Sequence, residues 1–408
     1  MSQTETGSTV SADRVVVVQS GGGALSIHSY GGGVRHMVAV CSSWRRQGVH
    51  VELVTNDSDL GRYDGFPSES VTRLPTLVSR VRPGDNVSYL LTNLMNFTVQ
   101  RKMLRKVGVR LRSSTGKTVV LAASSSLTDI VSGVWLSRAL KAPVCVYFHH
   151  VAPRPVLIGG DLWSLFRSAV NQMLAALALA LCKVTGAYIG LNFPATLADA
   201  GWRVDSVVVK TEGITEAREK PVPPEQYRPR CAAFVGRLTP AKGVIDLVDV
   251  LEIISRAVPG ARFSVVGRQS SRRFIHKIET KVSKQLPRGS FELLGEVSDD
   301  EKSQVLGSAK LFIFPSYEEG WGLVVAEAVM SGCYPVIYDL PAYGYLGSEL
   351  PRAELGDTHS LAEIALRALS DEPYRVALVR SLQSSLEKYG ESEVAKRELS
   401  QLGRLPAP

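Results

Sequence analysis

The 408 residues carry a formal net charge of +8, with 45% hydrophobic and 7% aromatic side chains, a length that suits two cores better than one. The five cysteines, Cys41, Cys145, Cys182, Cys231 and Cys333, form no C-x-x-C pair. Scattered in this way, they read as buried thiols of a reducing compartment, neither a disulfide framework nor a zinc site.

The opening MSQTETGSTVSADR has neither a basic region nor an apolar run, so it reads as a short disordered lead and not as a secretory leader. Arg14 to Gln19 (RVVVVQ) is apolar throughout, the composition of a parallel strand covered on both faces. Tyr30-Gly31-Gly32-Gly33 follows. Val34 to Gln47 then reads as a helix with Val34, Met37, Val38, Cys41 and Trp44 on one side, stopped by Gly48. Val49 to Thr55 is the next strand, and this β–α–β opening predicts a doubly wound parallel sheet. Later strands are expected at Thr118 to Ala123, Val144 to Phe148, Ala187 to Leu191 and Ser206 to Val209, with a helix over Thr128 to Leu140.

Charge is uneven along the chain. Residues 1–215 hold 22 Lys and Arg against 13 Asp and Glu, which accounts for the whole surplus. Asn86 to Thr128 includes Arg101, Lys102, Arg105, Lys106, Arg110, Arg112 and Lys117 and no acidic residue. The run reads either as a solvated face or as a surface for the phosphates of a membrane, a nucleic acid or an anionic acceptor. Met173 to Cys182 (MLAALALALC) is apolar but far too short to span a bilayer, and reads as a buried helix or a monotopic contact.

Gly213 to Arg230 is rich in proline and charge and reads as a linker. The α/β alternation then restarts, with strands at Cys231 to Val235, Arg262 to Val266, Phe291 to Leu294, Leu311 to Phe314 and Pro335 to Tyr338. Val244 to Ile254 has helical apolar spacing, and the tail from Glu372 is helical by pattern.

Two stretches of this second half carry chemistry. In FVGRLTPAKG, Gly236 allows close backbone approach, and Arg237 and Lys242 flank a helix start at the end of a strand. A guanidinium fork and an ammonium suit the charge that develops on a departing diphosphate. In FPSYEEGWGLVVAEAVMSGCYP, Glu319 sits in a strand-to-helix loop and Glu327 about a turn into the helix. Gly320 and Gly322 between them leave backbone N–H groups bare at the helix start, where an anion is stabilised. Acceptors beside an anion cradle suit a nucleotide-sugar. Each feature alone has a plainer reading, as helix capping or as solvated cations; together they favour the ligand.

These segments resemble the retaining nucleotide-sugar glycosyltransferases of the GT-B fold, the large group called family 4. Gly236, Arg237, Leu238, Lys242 and Gly243 match a G-R-L-x-x-x-K-G segment. Pro315, Ser316, Glu319, Gly320, Gly322, Leu323, Glu327 and Ala328 match P-S-x-x-E-G-x-G-L-x-x-x-E-A. The resemblance implies two doubly wound Rossmann-like domains facing a cleft. Residues 1–213 would bind the acceptor, 214–230 link, 231–371 bind the nucleotide-sugar, and 372–408 cross back as a helical segment to the N-terminal domain. Arg237 and Lys242 would grip the diphosphate, Glu319 the sugar hydroxyls and Glu327 the ribose, while Gly322 and Leu323 offer amides to phosphate. Gly32 and Gly33, followed by Val34, Arg35 and His36, would face the diphosphate and the acceptor. His149, with His150 as the alternative, would face the sugar from a strand end. The chain departs from the family at Glu212-Gly213, where Asn-Gly is common.

The implied activity moves a hexose from a UDP- or GDP-linked donor to a hydroxyl of a glycan, a lipid or a small molecule. The donor is a co-substrate; no cofactor and no metal are expected, since Arg237, Lys242 and helix dipoles can hold the diphosphate. The expected location is cytoplasmic, at the membrane face if the basic half is a membrane surface. The alternatives are a sugar-nucleotide epimerase, a glycoside phosphorylase, or a non-catalytic nucleic-acid or polyanion binder. Three near-motifs are set aside. Ser114 to Thr118 resembles a phosphate loop but has Leu111 where glycine is required; Asp57-Ser58-Asp59 reads as a turn; and Gln19 to Gly23 opens no helix.

Overall fold

The computed structural model describes residues 12–19, 32–56, 66–75, 86–112, 116–124, 127–148, 186–190, 207–211, 228–269 and 272–405. These fall into two compact units. One holds the residues up to 211 together with those from Glu391, and the other holds 228–390.

The first unit is built on a seven-stranded parallel sheet. Its strands are β1 (Arg14–Gln19), β2 (His50–Asn56), β3 (Val71–Leu74), β4 (Thr118–Ala122), β5 (Val144–Phe148), β6 (Gly186–Gly190) and β7 (Val207–Thr211), in the order β3-β2-β1-β4-β5-β6-β7. Val15 to Val18 are wholly buried, as an unbroken apolar run requires of a strand covered on both faces. The register pairs Val16 with Glu52 on one side and with Val120 on the other. The strand and helix alternation was legible from apolar runs, whereas β3, short and half polar, was not.

The described helices of this unit ahead of residue 228 are α1 (Gly32–Arg46), α2 (Asn86–Arg112) and α3 (Leu127–Leu140). Helix α1 begins at Gly32, two residues before the expected Val34. Glycine is tolerated in a first turn, where the hydrogen-bond ladder is still incomplete. The basic run is a 27-residue helix. Leu104, Val107 and Leu111 bury one side of it against Val134 and Val18 in the core, while Arg101, Lys102, Arg105 and Lys106 are exposed.

The second unit has a five-stranded parallel sheet. Strands β8 (Arg230–Val235), β9 (Phe263–Val266), β10 (Phe291–Gly295), β11 (Ala309–Phe314) and β12 (Tyr334–Ile337) run in the order β10-β9-β8-β11-β12. Around them lie α4 (Val244–Ala257), α5 (Arg272–Gln285), α6 (Asp299–Gly307), α7 (Leu323–Met330), α8 (Thr358–Ser370) and α9 (Glu372–Leu386). Helix α4 follows its apolar spacing, with Val244, Leu247, Val248, Leu251 and Ile254 buried. Buried Arg228 donates to Ala309 O at 2.5 Å and to Ser331 O at 2.7 Å, so the end of the expected linker is already part of this unit.

The expected return to the first unit at Glu372 occurs later. Helix α9 stays in the second unit, where Leu378, Val379, Leu382 and Leu386 are buried and Gln383 Nε2 donates to Val329 O. The change comes at α10 (Glu391–Gly403). Trp44 Nε1 donates to Ala395 O at 2.8 Å, and Glu398 is buried between His36 Nε2 at 2.9 Å and the Tyr147 hydroxyl at 3.0 Å. A carboxylate on α10 thus ties the end of the chain to α1 and β5.

Glu398→Ala removes the buried carboxylate that His36 and Tyr147 both meet, so urea denaturation should show the first unit weakened by about 1–3 kcal/mol. Glu398→Gln, which keeps an acceptor, should lose less. Lys396→Ala, exposed on the same helix, should stay within about 0.5 kcal/mol of the parent.

Candidate active site

In the second sheet β8 continues to β9 and β10 on one side, and β11 to β12 on the other. The chain order therefore reverses between the neighbours β8 and β11, which pair in parallel. Loops that leave such neighbours in opposite directions open a crevice at their C-terminal ends, the place where doubly wound sheets bind ligands. Both chemistry-bearing segments lie there, one after Val235 and the other after Phe314.

The two loops are held together through backbone. Gly243 has φ +64°, and a Cβ on it would lie 1.8 Å from Pro315 O, so no side chain fits. Tyr317 N–H donates to Ala241 O at 2.9 Å. Beneath them, the Tyr317 and Tyr338 hydroxyls both donate to Asp246 Oδ2, at 2.6 and 2.7 Å. Burial, then the hydrogen bond to Asp246 and its charge, pushes the Tyr317 phenol up to about 12. Gly236 N–H donates to Val266 O, and buried Leu238 bridges to Gln269, which fixes the turn around Arg237.

Lys242 and Glu319 meet in this junction. Lys242 Nζ donates to Glu319 Oε1 at 2.6 Å and to Glu318 O at 3.0 Å, and the Ser316 hydroxyl lies 3.1 Å from the same carboxylate oxygen. The two side chains are only 9% and 10% exposed, so this is a neutralised pair with little access to water. Arg237 is exposed and makes no ion pair among the described residues. The expected pair of phosphate cations is thus divided: one is exposed at the surface, and the other is seated on the carboxylate expected to meet the sugar.

Helix α7 starts beside Glu319. Gly322 has φ +79°, and a Cβ on it would lie 2.5 Å from the Tyr343 ring. The first intrahelical bond runs from Val325 N–H to Gly322 O at 2.8 Å, so the N–H groups of Leu323 and Val324 precede the ladder. Tyr345 donates to Gly322 O at 3.2 Å and stacks on Trp321 at 4.0 Å with 7° between the rings. Burial, followed by the charge of Glu319, raises the phenols of Tyr343 and Tyr345 well above the usual tyrosine value. These rings hold the glycine loop in shape.

Glu327 lies a turn further on, as expected, and its Oε2 accepts from Lys302 Nζ at 2.9 Å. Lys302, on α6, also lies 3.3 Å from Asp299 Oδ1. Its place beside Glu327 was not foreseen. The local spacing Asp299 to Lys302 was visible, but the contact with Glu327 crosses from one helix to another. Besides exposed Arg237, the site thus holds two short charge pairs, Lys242 with Glu319 and Lys302 with Glu327, flanking the open end of α7.

Of the first-unit residues, Gly32 and Gly33 form the opening of α1. His149, His150, Glu212, Gly213 and residues 57–59, 113–115 and 173–182 lie outside the described residues.

Residues 215–383 match the family described as Glycosyl transferases group 1. An uncharacterized glycosyltransferase of Methanocaldococcus jannaschii is 30% identical over 152 residues, 36% of this chain and 40% of that protein. The GDP-mannose:cellobiosyl-diphosphopolyprenol alpha-mannosyltransferase of Xanthomonas oryzae pv. oryzae is 23% identical over 120 residues, 29% of this chain and 31% of that protein. The matches thus span less than half the length of these curated relatives. Likeness of structure extends further: the sucrose-phosphate synthase of Thermosynechococcus elongatus superposes with a TM-score of 0.72 at 14% identity, covering 94% of this chain and 96% of that one. The chain therefore carries a domain of the group 1 glycosyl transferases in its second unit and has the GT-B fold, two Rossmann-like α/β domains with parallel sheets.

Proposed function

We propose that this protein is a retaining glycosyltransferase that moves a hexose from a UDP- or GDP-linked donor to a hydroxyl of a glycan, a lipid or a small-molecule acceptor. The observation that supports it most is the Lys242–Glu319 pair, set at the switch point of the second sheet beside the unladdered N–H groups of α7. A relative named for GDP-mannose matches part of the chain and favours a nucleotide-linked donor.

In this reading the donor diphosphate lies against the start of α7, within reach of the Leu323 and Val324 amides. Lys242 shares its protons between Glu319 and a phosphate oxygen. Negative charge grows on that oxygen as the glycosidic bond breaks, so the ammonium binds the transition state more strongly than the ground state. Glu319, partly released, accepts from the hydroxyls of the transferred sugar. Arg237, exposed and unpaired among the described residues, closes on the phosphates as a second cation. Glu327 accepts from the ribose hydroxyls, and Lys302 holds its orientation. We assign acceptor binding to the first unit, where Gly32 and Gly33 would face the diphosphate and the acceptor, and His149 would face the transferred sugar. Transfer proceeds without a metal ion, because cations and helix amides hold the leaving group. Retention follows from front-face attack, in which the departing phosphate takes the acceptor's proton.

The donor is identified by thermal unfolding with UDP, GDP and ADP, alone and as sugar conjugates. One series should stabilise the protein by about 2.7 kcal/mol at a hundred times Kd, and Glu327→Ala should abolish the shift. If no nucleotide shifts the transition, the transferase reading fails. Lys302→Ala should raise KM for the donor while changing kcat little, as expected for a group that orients a binding residue.

Lys242→Ala should lower kcat by about 10²- to 10³-fold, the usual loss on removing one donor to a developing anion. Transfer should persist in EDTA, and product NMR should show the donor's anomeric configuration. Loss of activity in EDTA, restored by a divalent ion, would overturn the metal-free assignment; an inverted anomer would overturn the front-face route.

A further inference from the structure

Helix α2 presents a second chemistry, unrelated to the donor site. Its inner side is fixed: Gln100, Leu104, Val107 and Leu111 are buried, and a Cβ on Gly108 would lie 3.1 Å from Ala139 Cβ of α3. Arg110 is committed to Glu52 and Thr72, and Arg112 Nε donates to Ala139 O at 2.7 Å. Those two arginines hold the helix to the unit.

The outer side is different. Arg101, Lys102, Arg105 and Lys106 are exposed, and none forms an ion pair among the described residues. Met95, Val99 and Val109 stand among them at 57%, 40% and 69% exposure. At 3.6 residues per turn, Met95, Val99, Lys102, Lys106 and Val109 share about 80° of arc over about 21 Å of helix, with Arg105 and Arg101 on one shoulder. No acidic residue occurs anywhere in 86–128.

We infer that this face of α2 docks on an anionic phospholipid surface. The cations alone would serve any polyanion; the aliphatic side chains between them decide the occupant. A nucleic acid offers phosphates but no apolar layer for Met95, Val99 and Val109, and a face for its single strands would carry aromatic rings for stacking; none of the described exposed side chains of this face is aromatic. A bilayer interface offers both partners at one depth. Met95, Val99 and Val109 enter the boundary between headgroups and acyl chains, while the Lys and Arg stems lie along it with their charges at the phosphates. The exposed cations of α2 keep the contact at the surface of the bilayer. The docking does not rest on the proposed transfer, because its readout is partition and not catalysis.

The test is flotation of the full chain with vesicles of phosphatidylcholine alone and of phosphatidylcholine mixed with phosphatidylglycerol. The protein should float only with the anionic vesicles and be released by high salt. The combined variant Arg101→Gln, Lys102→Gln, Arg105→Gln, Lys106→Gln should bind about 10²- to 10³-fold more weakly, from about five-fold per cation. Met95→Ser with Val109→Ser should weaken flotation but leave retention on heparin unchanged. All these positions are exposed, so unfolding midpoints should match the parent and exclude misfolding as the cause. Three results would overturn the inference: no flotation at low salt, equal flotation with neutral vesicles, or vesicle binding indifferent to Met95 and Val109. The last would mark the face as a general polyanion surface.

Discussion

The pairing of β8 with β11 is the constraint on which the second unit's chemistry depends. They are adjacent and parallel, yet their outgoing connections diverge, so the loops that leave Val235 and Phe314, distant in sequence, must start side by side. The loops approach so closely that Gly243 has no room for a Cβ against Pro315 O. From that contact follow the short reach of Lys242 to Glu319, the support of Tyr317 and Tyr338 on Asp246, and the placement of α7. A slip of either strand would part the ammonium from its carboxylate.

Charge is used differently at the site and on the helix surface. At the site Glu319 and Glu327 each have a base within hydrogen-bond distance, Lys242 and Lys302 respectively. Poorly solvated groups need such partners, because an unpaired buried charge is costly. A ligand that brings its own phosphates and hydroxyls can exchange with these partners at little electrostatic cost. The four outward cations of α2 face solvent, where a lone charge is cheap. Arg110, on the same helix, turns inward to Glu52 and holds the helix in place.

Much of this was written in local patterns. The apolar run of β1, the spacing of Val244, Leu247, Val248, Leu251 and Ile254, and the glycines of the two loops each report a period or a turn that the backbone imposes within a few residues. Where those patterns are weak the reading stopped short. Strand β3 alternates too little to stand out, and the charges of α2 hid the spacing of Leu104, Val107 and Leu111. The boundary at Glu391 was also placed too early. Helices α9 and α10 are both amphipathic, and nothing local says which sheet each one covers.

The sequence by itself determined the α/β alternation, the two loops with their Arg, Lys and Glu, and the basic run of the first half, since all of these depend on composition and short spacings. Only the tertiary structure decided who meets whom. Lys242 sits on Glu319 because β8 and β11 are neighbours. Lys302 reaches Glu327 because α6 and α7 flank β11. Glu398 is buried between His36 and Tyr147 because α10 packs beside α1. The order of strands in a sheet is fixed by the summed burial of whole faces, a quantity no short stretch contains, so contacts between distant residues follow from the assembled sheet alone.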